Sequence, residues 1–161
     1  MKKLHFILLA VFCLTLTACE NKEKPEKISL ANTQWQLVGF VNKQTGVLRA
    51  PEPLENCDEC FTINFTEDRF TGFTTTNGFF GAYEADYAAQ RIQLLYGKIT
   101  EAGEKSFDGS LFAWSIIKVH SFNLQKNELR LYSTIPEDFR VHRDIIDHVN
   151  NNYLLLKRIE L

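Results

Sequence analysis

The sequence predicts a mainly β domain, either an antiparallel sheet or a partly open barrel with one packed helix; a lipocalin-like barrel is the alternative. Short runs in which apolar and polar residues alternate recur along the chain, and turn-forming residues separate them, as is typical of antiparallel strands. A single stretch, residues 107–119, instead repeats its apolar residues near the helical period. Thirteen phenylalanines, five tyrosines and two tryptophans suffice to fill one core.

The alternating runs predict nine strands. They are residues 34–42, 47–49, 61–65, 70–74, 79–87, 92–96, 121–124, 129–133 and 153–159. Pro51 and Pro53 interrupt the ladder after the second run, because proline lacks the donor that a strand needs. Asn77-Gly78 predicts the hairpin turn between the fourth and fifth runs, since both residues accept a positive φ.

The helical period predicts one helix over residues 108–118. Gly109 weakens the pattern, and the β-branched pair Ile116-Ile117 would also suit a strand. Residues 135–152 form a long polar excursion, which includes a candidate short helix at residues 143–149.

The first eighteen residues have the pattern of an export signal. Lys2 and Lys3 precede an apolar run, residues 4–16, which is shorter than the roughly 20 residues that span a bilayer. Leu16-Thr17-Ala18-Cys19 resembles the lipobox of bacterial lipoproteins. The resemblance implies cleavage after Ala18 and lipid on Cys19, which would anchor the chain to the outer membrane of the cell envelope. An ordinary signal peptide or a buried N-terminal helix is the alternative.

The predicted organisation is a lipoprotein signal peptide at 1–18, a lipidated flexible tether at 19–30 and a single β-rich domain at 31–161. Residues 20–27 are charged and almost free of apolar groups, so burial cannot offset the entropy of ordering them. Without Lys2 and Lys3, 16 of the 18 basic residues remain against 20 acidic residues, a formal charge of −4. A nucleic-acid partner needs a basic face and is therefore not expected.

Several segments resemble the META domain family of envelope proteins, which includes HslJ-like lipoproteins. They are the Thr-x-Trp-x-Leu pattern at 33–37, the strand at 61–65, Phe70-Thr71-Gly72 and an Asn-x-x-x-Gly-x-Tyr signature at 77–83. The family's Gly-Cys-Asn is Thr75-Thr76-Asn77 here, and residues 95–105 lack its second cysteine-containing segment. The resemblance implies a META-like β domain linked to envelope stress or drug tolerance, without catalytic residues. Small lipoproteins of Bacteroides-type bacteria, of unassigned function, look similar.

Cys57 and Cys60 are the sharpest local feature, because Cys13 leaves with the signal peptide and Cys19 is the lipidated residue. Two cysteines three positions apart can form a disulfide, act as a redox pair or supply half of a zinc site. Export favours oxidation, and a redox pair normally opens a helix, whereas this pair precedes a strand. A disulfide is therefore favoured, and no metal or cofactor is expected.

An aromatic set surrounds Asn77 in the sequence. One interpretation is a binding patch or an apolar pocket made of Phe73, Asn77, Phe79, Phe80 and Tyr83. The other is packing of the core against the helix, which the dominance of aromatic residues in cores favours.

Titratable residues suggest two further sites. Glu84 and Asp86 share a strand face and could hold a cation or perform acid–base chemistry. Three histidines could join Asp144 or Asp147 at a metal; they are His120, His142 and His148. Solvated surface positions explain both groups, and no serine lies in a Gly-x-Ser-x-Gly elbow.

Without a catalytic constellation, we expect a non-enzymatic, membrane-anchored envelope lipoprotein whose β domain binds a partner or contributes to envelope integrity. Its partners would be the membrane, through lipid on Cys19, and an envelope protein or a small molecule. A lipocalin-like carrier of a small apolar ligand is the alternative, which the aromatic excess on a barrel-like sheet supports.

Overall fold

The computed structural model describes residues 28–55, 57–100 and 102–160. Nine strands and two helices lie within these ranges. In chain order they are β1 Thr33–Asn42, β2 Leu48–Arg49, β3 Thr62–Phe65, β4 Arg69–Phe73, β5 Gly78–Asp86, β6 Arg91–Ile99, α1 Phe107–Ile117, β7 Val119–Leu124, β8 Glu128–Ser133, α2 Arg143–Asn151 and β9 Asn152–Ile159.

Eight of these strands close into an antiparallel barrel. β1, β3, β4, β5, β6, β7, β8 and β9 are neighbours in that order, and β9 returns to β1. The closing pair runs from Gln34 opposite Ile159 to Asn42 opposite Asn152. The mainly β prediction is therefore confirmed, but the barrel is closed and not partly open. Closure pairs β9 with β1, and so satisfies the edges that an open sheet would leave unpaired on these two strands.

The additional strand β2 extends the wall beside β1. β3 pairs with the first half of β1, from Thr33 to Gln36. β2 then takes over on the same side, where Leu48 lies opposite Val41 and Arg49 opposite Phe40. β1 can thus be longer than β3 without exposing its own backbone groups.

The barrel has the fewest paired residues between β6 and β7. β5 and β6 pair along their whole length, whereas β6 and β7 share a single register pair, Arg91 opposite Ser121. One further bond, from the Phe122 backbone N–H to the Gln90 carbonyl at 2.9 Å, reinforces this end. The rest of β6 has no further register pair with β7, and α1 connects the two strands in the chain.

The interior of the barrel is filled by side chains. Twelve large side chains are almost fully buried, and they come from six strands and helices, the segment before β1 and the connection between β8 and α2. They are Trp35, Phe70, Phe112, Leu30, Ile63, Leu111, Ile116, Leu129, Leu131, Ile135, Leu154 and Leu156. Phe112 of α1 packs edge-on against Phe61 at 5.7 Å and Phe79 at 5.9 Å between ring centroids. The helix is therefore part of the core.

Both helices match sequence patterns, although the fold prediction counted one. Ser106 caps α1, since its hydroxyl accepts from the Gly109 backbone N–H at 3.1 Å. α2 buries Ile145, Ile146 and Val149 and packs against α1. Neither described helix is long and apolar enough to cross a membrane.

The predicted end of the tether and the predicted position of the β4–β5 turn are wrong. Leu30, assigned to the flexible tether, is fully buried in the core, and its backbone N–H donates to the Tyr87 hydroxyl at 3.0 Å. The β4–β5 turn is centred on Thr75-Thr76 and not on Asn77-Gly78, because the Thr74 N–H bonds the Asn77 carbonyl at 2.8 Å. Neither Asn77 nor Gly78 has a positive φ.

Candidate functional site

The predicted lipidation site Cys19, the signal peptide and residues 19–27 of the tether lie outside the described residues. The described domain begins at Ile28, just before Ser29 and Leu30, which contact Tyr87. The described chain therefore enters the barrel beside Tyr87, which directly follows β5.

Cys57 and Cys60 form a disulfide across the turn that precedes β3. Cys60 is buried and Cys57 half-buried, and the Cys60 N–H bonds the Cys57 carbonyl at 3.3 Å. A groove of about 130 Å³ adjoins the turn, and Pro53, Leu54 and Phe61 are among its lining residues. In the described ranges, no three His, Cys, Asp or Glu side chains are grouped so that they could hold a metal ion.

The five residues of the predicted binding patch do not share a surface. Phe79 and Tyr83 are each 3% exposed and Asn77 is 2% exposed, whereas Phe73 is half-buried and only Phe80 is exposed. Alternate residues of β5 point to opposite faces, so Phe79 and Tyr83 enter the core while Phe80 faces outwards. The prediction of one exposed patch is wrong, and core packing accounts for most of the set.

Tyr83 illustrates how a polar aromatic residue is accommodated in this core. Its ring packs edge-on against Phe65, with centroids 5.2 Å apart, and its hydroxyl donates to the Thr66 carbonyl at 2.9 Å. Burial raises the pKa of the phenol, and nearby Tyr87 and Asp68 add to the rise. The neutral hydroxyl is therefore held as a donor, which is a structural role.

Asn77 organises a buried polar cluster with Glu104. The half-buried Glu104 carboxylate accepts from Thr74 Oγ1 and Thr75 Oγ1, each at 2.5 Å, and from Asn77 Nδ2 at 2.7 Å. Asn77 Oδ1 in turn accepts from Thr100 Oγ1 at 2.7 Å. The cluster joins the β4–β5 turn to the connection that leads into α1.

A second polar contact holds the start of α1. Asp108 is 3% exposed and accepts from Arg49 Nη2 at 2.7 Å and Nη1 at 3.0 Å. The Glu52 backbone N–H donates to the same carboxylate at 2.9 Å. Arg49 also lies over the Phe40 ring, 4.7 Å from its centroid. Asp108 thereby ties α1 to β2 and to the segment after it.

Sequence patterns did not identify Glu104 as important. It lies in a polar loop, and its partners are about thirty positions away. Asp108 had a weak local signal, since an acidic residue two positions after a serine cap favours a helix start. Both clusters are fully hydrogen-bonded, and no described buried polar side chain lacks a partner. They therefore stabilise the fold.

The predicted titratable candidates approach each other in one place. Glu84, Asp86, Arg91 and His120 line an open groove of about 440 Å³ on β5, β6 and β7. Asp86 Oδ1 is occupied as a turn acceptor for the Ala88 and Ala89 N–H groups, both at 3.0 Å. Burial, aided by the charge of Lys43, lowers the pKa of His120. The His120 ring is hydrogen-bonded to Thr134 Oγ1 through Nε2, at 3.2 Å.

The other histidines are used locally at α2. His142 caps the helix and approaches Asp144 at 3.4 Å. His148 Nδ1 bonds the Asp144 carbonyl at 3.0 Å, and Asp147 pairs with Arg143 at 3.1 Å. The predicted histidine–aspartate combination does not converge, because all its members except His120 are spread along the exposed face of α2, and His120 lies on β7.

An exposed apolar surface lies on β5 and β6, beside the sparsely paired junction of β6 with β7. Phe80 is 46% exposed, Leu95 53% and Tyr96 47%. Phe80 lies opposite Lys98, and Tyr96 lies opposite Ala82. Leu95 is the extra residue of an irregularity between the pairs Tyr83–Leu94 and Ala82–Tyr96. We call Phe80, Leu95, Tyr96 and Lys98 the β6 surface.

No protein-family model matches the sequence, and no curated protein matches it. Three chains of solved structures are similar in fold, among them the following two. The NMR structure of a protein from Burkholderia xenovorans has a TM-score of 0.57 at 15% identity, over 86% of this chain and 93% of its own. The crystal structure of a DUF4847 family protein from Bacteroides vulgatus has a TM-score of 0.50 at 18% identity, over 80% and 93%. At such identities, the likeness shows a shared barrel fold alone.

Proposed function

We propose that this chain is a lipid-anchored envelope protein whose barrel acts as a binding or structural module and performs no catalysis. The packed interior supports this proposal. Trp35 and Phe112 are fully buried in it, and the grooves described above are open to solvent. The polar clusters around Glu104 and Asp108 serve the fold, so the outer surface is the part of the domain that remains for interaction.

The anchor follows from the lipobox-like segment that ends at Cys19. Its test is incorporation of labelled palmitate into the full chain expressed in a bacterium with a lipoprotein pathway. We expect label in the wild-type chain and none in Cys19→Ser. A Cys57→Ser, Cys60→Ser double variant is the matched control and should keep the label. An unlabelled wild-type chain that stays in the cytosol with its leader intact would overturn the proposal.

The role in the envelope follows from the META resemblance and is tested genetically. We expect deletion of the gene to increase sensitivity to envelope stress or to drugs, and wild-type chain to restore tolerance. Cys19→Ser should fail to restore it, because the domain would not be held at the membrane. Unchanged sensitivity after deletion would refute this role while leaving the anchor intact.

A lipocalin-like carrier is the second candidate, because eight strands in sequential up-and-down order also build carrier barrels. Such carriers keep an internal cavity for one small ligand. Here the rings of Phe61, Phe79 and Phe112 meet in the interior, so a ligand would have to displace them. Native mass spectrometry of the purified chain is the test. A bound apolar molecule in the wild-type chain would favour the carrier; the enlarged interior of Phe112→Ala serves as a positive control.

A further inference from the structure

The β6 strand has an edge that the barrel does not use. Beyond Arg91, its described residues are in register with β5 alone. Four consecutive residues at 95–98 are exposed. Backbone N–H and C=O groups on a free edge can pair with another strand, and exposed edges are sites of association.

The side chains beside this edge add apolar surface to the unpaired backbone. Tyr96 and Lys98 are two residues apart and therefore point to the same, outer face of β6. Phe80, on β5, lies opposite Lys98 of β6, so an aromatic ring and a lysine lie side by side. Apolar side chains next to an unpaired edge favour a partner that covers both.

We propose that the occupant is a second copy of this chain, which pairs with β6 in the antiparallel direction about a two-fold axis at Gly97. In that register, Tyr96 of one copy lies opposite Lys98 of the other, and the reverse pair forms by symmetry. Each lysine would lie between Phe80 of its own copy and Tyr96 of the second copy. Aromatic faces attract ammonium groups in this arrangement.

The charge pattern supports self-pairing. Lys98 is the sole charged residue of the strand between Arg91 and Ile99. The two lysines are diagonal in this register and never directly opposite, so like charges do not meet. Two short strands form a small interface, below about 1,200 Å², so the dimer is weak and reversible.

The register makes a specific cross-linking prediction for the purified full chain under mild oxidation. Tyr96→Cys and Lys98→Cys chains mixed together should form a disulfide-linked dimer, because these positions are opposite. Each variant alone should cross-link less, since its own cysteines are diagonal. Lys126→Cys is the control, because it is exposed in the β7–β8 turn, outside the β6 surface. Equal cross-linking in the mixture and in Lys126→Cys would overturn the proposal.

Sedimentation of the uncross-linked chain tests the same interface without cysteines. Wild-type chain should show a concentration-dependent monomer–dimer equilibrium. Lys98→Glu should weaken it about tenfold or more, because a carboxylate next to an aromatic face is unfavourable. Lys126→Glu, which changes the same charge in the β7–β8 turn, should not. Two results would refute the proposal. One is a wild-type chain that stays monomeric at millimolar concentration, and the other is cross-linking of position 98 to a different polypeptide in place of a second copy.

Discussion

Gly81→Ala should destabilise the barrel severely, whereas Gly97→Ala, at the position directly opposite on β6, should not. The two glycines pair across the β5–β6 ladder. A Cβ on Gly81 would lie 2.2 Å from the Tyr96 carbonyl oxygen and 2.5 Å from Phe70 Cζ. A Cβ on Gly97 would lie 3.6 Å from Phe70 Cζ, an ordinary contact. The pair thus isolates steric crowding from loss of glycine.

The magnitudes follow from what has to move. Phe70 is 2% exposed, so its ring has no free space, and the Tyr96 oxygen belongs to the ladder. Overpacking of a core costs about 1–3 kcal/mol, and displacement of backbone puts Gly81→Ala near the upper end, about 3 kcal/mol. That loss lowers Tm by roughly 10 °C in a domain of this size. Gly97→Ala should gain about 0.5 kcal/mol, because alanine loses less backbone freedom than glycine on folding.

Thermal and urea unfolding, followed by circular dichroism, measure both variants against wild type. Coincident transitions by fluorescence and circular dichroism check that unfolding is two-state. The steric argument fails if Gly97→Ala loses as much stability as Gly81→Ala. It also fails if Gly81→Ala loses less than about 1 kcal/mol, the lower end for overpacking.

Three further predictions concern polar groups. Arg49→Met should lower the free energy of unfolding in urea by about 3 kcal/mol or more, because it leaves the buried Asp108 carboxylate without its cation. Asp108→Asn should lower it by only about 1–2 kcal/mol, because the arginine that it frees is 45% exposed. A larger loss in Asp108→Asn than in Arg49→Met would contradict this reasoning. Glu104→Gln should lower the free energy of unfolding by about 1–3 kcal/mol, because the NH2 group of the new amide would face the donors that now bond the carboxylate. Glu84→Gln, on an exposed face, should leave urea unfolding unchanged. Folding lowers the pKa of His120 below 6.5, so the folded state favours the neutral ring and stability is lost as pH falls from 6.5 towards the folded-state pKa. His120→Gln should therefore flatten that part of the curve of Tm against pH. A curve that the substitution leaves unchanged would refute the prediction.

The strand pattern could be predicted because it depends on near neighbours. Trp35 and Leu37 alternate with polar residues, and both are buried, as period-2 alternation requires for a half-buried strand. The α1 prediction differs from the structure by one residue at each end, although the β-branched Ile116-Ile117 favoured a strand. Tertiary burial on nearly all sides of α1 outweighs that local preference.

The turn at Asn77 shows where local propensity fails. Asn-Gly favours a tight hairpin turn, but here the Asn77 amide is engaged by Thr100, Ala102 and Glu104. A buried amide with satisfied hydrogen bonds is worth more than the preference of a turn residue. The information that decides this turn therefore lies more than twenty residues downstream of it.

The sequence alone determined that the domain is mainly β, where most strands run and which residues are apolar enough to fill its core, because those properties repeat along the chain. Only the tertiary structure decided that β9 closes on β1, that Arg49 meets Asp108 across 59 positions, and that β6 is in register with β7 only at Arg91. These features depend on contacts between distant segments, whose free energy no local pattern encodes. The β6 surface exists for the same reason: the fold leaves that edge unpaired, while the residues along it read in sequence as an ordinary strand.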